Sequence, residues 1–90
     1  MFYVYCLESK LNKEHYVGYT SDLKKRLREH NQGLNFSTKR CRPWSVIYYE
    51  ACIEESDAKR REKYFKTTQG SRLLKRRLKD YLYKIKQSKN

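Results

Sequence analysis

Six consecutive residues near the start of the chain, Phe2-Tyr3-Val4-Tyr5-Cys6-Leu7, carry apolar or aromatic side chains without a break. In a strand, successive side chains point to opposite faces. Phe2, Val4 and Cys6 then share one face, and Tyr3, Tyr5 and Leu7 the other. Neither face is suited to water, so the segment predicts a central strand covered on both sides. Polar residues from Glu8 to Lys13 predict a turn, and His15-Tyr16-Val17-Gly18-Tyr19 a second strand. The short connection favours an antiparallel hairpin. Two strands alone are marginally stable, so the rest of the chain must pack on them.

Thr20-Ser21-Asp22 is a helix-start signal. Leu23, Leu27 and His30 follow at i, i+4 and i+7 on one helical face, and Gly33 is a stop. Residues 34–43 read as a basic loop ending in the one proline, and Trp44 to Ile53 as a third strand. Ser56-Asp57 opens a second helix, with Ala58, Glu62 and Phe65 on one face and Gly70 at its end. Ser71 opens a third helix, striped by Leu74, Leu78, Tyr81, Leu82 and Ile85. Gln87 to Asn90 are expected to fray. The predicted fold class is α/β in the α+β sense. It has a small three-stranded, mainly antiparallel sheet flanked by about three helices, order ββαβαα, as a single domain over residues 1–86 with a tail at 87–90.

Charge narrows the function. The chain has 22 Lys plus Arg against 10 Asp plus Glu, a formal net charge of +12. That excess calls for an anionic partner. No apolar stretch reaches the length of a membrane span, and the first residues do not form a signal peptide, so a cytoplasmic location without membrane association is expected. Cys6, Cys41 and Cys52 form no CxxC pair and match no common zinc spacing, which favours reduced structural thiols. No small-molecule organic cofactor is expected.

Three features fit a plain structural reading least well. Glu62 falls on the inward face of its helix between Ala58 and Phe65, where a carboxylate is costly unless paired or bound to a metal; the plain alternative is a salt bridge. Arg26 and His30 are four apart on one helical face. There, a guanidinium could clamp a phosphate and an imidazole could take up a proton; the alternative is a surface cation beside a helix-terminal histidine. Tyr3 and Tyr5 share one strand face and Tyr16 and Gly18 a face of the next, so Tyr5 and Tyr16 could meet across the hairpin. Aromatic cross-strand packing is the alternative, and Gly18 marks either a bulge or a close backbone approach.

These features lie on motifs that resemble the GIY-YIG nuclease family, particularly its small single-domain members and the N-terminal nuclease module found in excision-repair endonucleases. Tyr3-Val4-Tyr5 stands where the family writes Gly-Ile-Tyr, and Tyr16-Val17-Gly18 where it writes Tyr-Ile-Gly. The segment from Asp22 to Asn31 is similar to the Arg-x-x-x-His helix, with Arg26 and His30 in place. Arg42-Pro43-Trp44 matches the usual middle, and Ala58 to Lys63 the helix with the metal-binding glutamate. Many members carry an Asn after that helix; here none occurs between Glu62 and Asn90.

The resemblance implies a metal-dependent endonuclease that hydrolyses phosphodiesters, on DNA before RNA, in repair or processing. Glu62 would hold one Mg²⁺ or Mn²⁺, and Arg26 would stabilise the charge developing on the phosphate. Tyr5 would orient and deprotonate water, with Tyr16 beside it and His30 relaying the proton. Gly18, Lys39, Arg40, Arg42, Lys75, Arg76 and Arg77 would form the nucleic-acid-binding surface. The competing expectation is a non-catalytic basic module that binds nucleic acid without cutting it.

Overall fold

The computed structural model describes residues 1–88. Strands β1 (Phe2–Ser9), β2 (His15–Thr20) and β3 (Trp44–Cys52) form one antiparallel sheet in the order β2-β1-β3. The doubly apolar β1 is therefore the centre of the sheet, as its pattern requires. Helix α1 (Leu23–Asn31) follows β2, and a 3₁₀ turn (Lys39–Cys41) interrupts the basic loop. Helices α2 (Glu55–Phe65), α3 (Thr68–Arg77) and α4 (Lys79–Ser88) complete the chain.

Each face of β1 has its own core. Val4 and Cys6 pack with Ala58 and Phe65 of α2 and with Leu74 and Leu78 further on. Tyr5 and Leu7 pack with Trp44, flanked by Leu23 and Leu27 of α1. Burying an aliphatic side chain of this size stabilises by roughly 1.5–3 kcal/mol. The α1 start signal acts as expected, since the Asp22 carboxylate accepts from the Lys25 N–H at 3.0 Å. At its other end Asn31 ties α1 to β3, accepting from Trp44 N and donating to Trp44 O.

The C-terminal half departs from the sequence reading. Gly70 does not end the second helix: α2 stops at Phe65, and Thr67 caps α3 by accepting from Gly70 N at 3.0 Å. Gly70 lies inside α3 because a Cβ there would sit 1.8 Å from the Tyr64 carbonyl oxygen. The predicted helix over 71–86 is two helices, broken at Leu78, so four helices flank the sheet among the described residues. The break lets Tyr81 donate to Glu8 at 2.6 Å, and Glu8 also bonds His15 at 3.1 Å. Of the tail expected to fray, Gln87 and Ser88 continue α4, and residues 89–90 lie outside the described residues. No helix among the described residues is long and apolar enough to cross a membrane.

Candidate active site

β2 is an edge strand, and α1 and α2 lie over opposite faces of the sheet beside it. A cleft of about 340 Å³ forms there, bordered by Tyr5, Tyr16, Gly18, Arg26, Asn35 and Glu62, among others. Four separate elements thus bring together side chains that stand out in the sequence.

The hairpin register explains how the tyrosines sit. Tyr5 pairs with Gly18, and Tyr16 pairs with Leu7, so the two tyrosines are diagonal neighbours rather than directly opposite. Gly18 is required by the Tyr5 ring: a Cβ at Gly18 would lie 2.5 Å from Tyr5 Oη and 2.7 Å from its Cζ. The close approach holds the phenol over the neighbouring strand, with its oxygen reaching α1.

There Tyr5 Oη lies 2.9 Å from His30 Nε2. His30 is fully buried, and its Nδ1 lies 2.7 Å from the Thr38 hydroxyl. Thr38 in turn donates to the Asn35 carbonyl at 3.5 Å. A hydroxyl has one proton to give. In the tautomer with the proton on Nδ1, His30 donates to Thr38 and Nε2 is free to accept from Tyr5. In that tautomer the polarity runs from Tyr5 to His30 to Thr38. The Tyr16 ring meets His30 edge to face at 5.1 Å, closing the pocket around the imidazole.

Burial pushes the Tyr5 phenol above its ordinary range; nearby Tyr16 adds to the rise and Arg26 opposes it. Burial lowers the His30 pKa, and the Arg26 charge lowers it further, with Glu29 opposing. Both groups are thus neutral near pH 7, the tyrosine as donor and the histidine as acceptor.

Arg26 borders the cleft with its Nε enclosed and without a hydrogen bond among the described residues. Glu29 Oε1 is 3.5 Å away, an ion pair too loose to bond that N–H. Glu62 keeps its side chain 19% exposed and meets Lys66 at 3.5 Å. The expected position between Ala58 and Phe65 is therefore a rim position, with those two fully inside and the carboxylate turned to the cleft.

The predicted binding residues divide. Lys75 borders a second groove that also touches Tyr16 and Lys66, so it adjoins the cleft along β2. Lys39 and Arg40 lie on the exposed 3₁₀ turn, and Arg42 packs its guanidinium across Gly33. Arg76 and Arg77 are exposed near the end of α3, bordering neither cavity. Sequence reasoning missed Glu55 and Thr38. Glu55 precedes Glu62 by seven, a spacing that places both on one helix face and was legible; it too borders the cleft. Thr38 left no signal, because only the folded loop brings it to His30.

The chain is similar to known proteins over most of its length. Residues 1–75 match the family model described as the GIY-YIG catalytic domain. A UPF0213 protein of Streptococcus pyogenes serotype M3 is 45% identical over 65 residues, spanning 71% of this chain and 70% of that protein. One from serotype M5 matches at the same identity and coverage. Among solved structures, the solution NMR structure of the UPF0213 protein BH0048 from Bacillus halodurans covers 82% of both chains, at 31% identity and a TM-score of 0.50.

Proposed function

Because this chain belongs to the GIY-YIG catalytic-domain family, we propose that it is a metal-dependent endonuclease that hydrolyses phosphodiester bonds, with DNA as substrate before RNA. The observation that carries this reading is the oriented chain from Tyr5 through His30 to Thr38, opening on a cleft that also holds Arg26 and Glu62.

The phenol need not ionise to act. An unperturbed tyrosine has a pKa of about 10, and burial here raises it further. A free phenolate is therefore scarce. A relay avoids it: the attacking water passes a proton to Tyr5 Oη as Tyr5 passes its own to His30 Nε2. The oxygen bonds to phosphorus, the bond to the leaving oxygen breaks with that oxygen taking a proton from solvent, and His30 ends as the imidazolium. Tyr16 holds the imidazole edge-on and narrows the water's approach. Arg26 borders the cleft and brings its guanidinium charge to the phosphate, where charge accumulates in the transition state.

Nucleases of this family generally use divalent metals. No cluster of three His, Cys, Asp or Glu among the described residues forms a closed ligand set. Mg²⁺ takes one or two carboxylates and keeps several waters, so Glu62, with Glu55 on the same cleft, fits Mg²⁺ or Mn²⁺. Glu62 would hold the ion, which would supply positive charge to the phosphate oxygens.

The test is a panel of labelled single strands, duplexes, flaps and Y-forms, each with Mg²⁺, Mn²⁺ or EDTA. Metal-dependent cutting is expected from the wild type, with losses of about 10²–10⁴ in Tyr5→Phe and near-complete loss in Glu62→Ala. Binding without cutting on every substrate would make the chain a non-catalytic module.

A further inference from the structure

The loop between α1 and β3 exposes two large apolar side chains on either side of Asn35, which borders the cleft. Leu34 is 69% exposed and Phe36 81%. Single exposed hydrophobics are ordinary, but the setting of Phe36 is not. Asn35, immediately before it, borders the cleft. Thr38, two residues after it, is fully buried against His30. The Trp44 indole N–H holds the Thr38 carbonyl at 2.8 Å, and Asn35 accepts from Ser37 N at 2.9 Å. Phe36 thus rides on a loop fastened to the proton relay on one side and to the cleft on the other.

Lys39 Nζ lies over the ring, 5.1 Å from its centroid, and Arg40 is exposed on the same 3₁₀ turn as Lys39. An open aromatic face among cations, next to a cleft suited to phosphate, matches the chemistry of an unpaired nucleotide. The cations take the backbone, and the ring stacks on the base. In a continuous duplex every base is stacked inside and offers the ring no face.

We propose that Phe36 is a stacking platform for an unpaired nucleobase beside the phosphate held in the cleft, so that the site selects strands with unpaired bases over continuous duplex. This rests on the nuclease reading for what occupies the cleft, while the stacking itself is a binding property.

Binding is measured in EDTA, which separates it from cutting. The probes are a labelled single strand, a strand of equal length with abasic sugars in place of its bases, and a blunt duplex. Phe36→Ala should weaken the base-bearing strand by about fivefold or more and leave the abasic strand and the duplex within about twofold. Phe36→Tyr, which keeps the ring, should bind the base-bearing strand as the wild type does. Equal losses on the abasic strand, or no loss on the base-bearing one, would overturn the proposal. Cutting is scored separately with Mg²⁺. A protein that stacks but never cuts defeats the nuclease reading alone; one that cuts with no dependence on Phe36 defeats the platform alone.

Discussion

Burial acts on Tyr5 and His30 in opposite senses, raising the phenol and lowering the imidazole, and both shifts favour the neutral pair. The relay needs neutral His30 as acceptor. The cleavage rate should therefore fall on the acid side, with a midpoint below the unperturbed histidine value of about 6.5. A profile flat from mildly acid to alkaline pH would remove His30 and Tyr5 from the reaction. The groups facing this imidazole are Tyr5 from β1, Tyr16 from β2, and Arg26 and Glu29 from α1. Stability moves the same way. With the folded pKa below the unfolded one, His30 contributes fully above about pH 6.5, and that contribution is lost as pH falls through the folded value. Gly18→Ala supplies a second prediction for a single residue. The added methyl cannot fit beneath the Tyr5 ring, so the ring must leave His30. Overpacking of this kind costs roughly 1–3 kcal/mol, and thermal unfolding should show that loss together with a fall in kcat.

Between elements, α2 is held to β3 by an ion pair rather than by shape alone. Arg61 donates to Glu50 through Nε at 2.9 Å and Nη2 at 3.1 Å, and Tyr48 adds a third bond at 2.8 Å. Burial alone would raise the Glu50 pKa, but the bonds from Arg61 and Tyr48 outweigh it and hold the carboxyl below its ordinary range. Arg61→Met should cost about 1–2 kcal/mol at neutral pH, measured by urea denaturation. A lowered carboxylate pKa stabilises above the unfolded value and stops doing so as pH falls through the folded one. The gap between variant and wild type should therefore begin to close as pH falls below the unperturbed glutamate value of about 4.3. Since α2 carries Glu62, loosening it should also weaken metal-dependent cutting. At the other end, Tyr81 reaches from α4 to Glu8, and burial and that bond push its phenol up to about 12. Tyr81→Phe leaves the buried Glu8 with His15 and should destabilise by about 1–3 kcal/mol.

Across the molecule, the formal +12 predicts binding that weakens steeply with salt. Each phosphate contact contributes about −0.9 to the slope of log affinity against log salt. Lys75 adjoins the cleft, whereas Arg76 borders neither cavity. Lys75→Ala should therefore reduce the magnitude of the slope by about one, and Arg76→Ala by less, in titrations across a range of salt. Equal effects would mean that charge is read globally and not along the β2 edge.

Local pattern was enough to place the sheet. A doubly apolar β1 must lie between covering layers, and its helical neighbours announced themselves by periodicity and by the Asp22 cap. The two motif tyrosines, Arg26, His30 and Glu62 were legible as residue types at odds with plain packing. What they do together was set by the fold. The Tyr5–Gly18 register, the loop that carries Thr38 to His30, and the overhang of α1 and α2 above an edge strand join residues 8 to 57 positions apart, and no local pattern encodes such contacts. The break at Leu78 belongs with them. Its flanks are helix formers, and the interruption accompanies a long-range bond from Tyr81 to a buried carboxylate in β1. Propensity and periodicity report a chain's interactions with itself nearby; long-range hydrogen bonds and packing select among the arrangements those leave open.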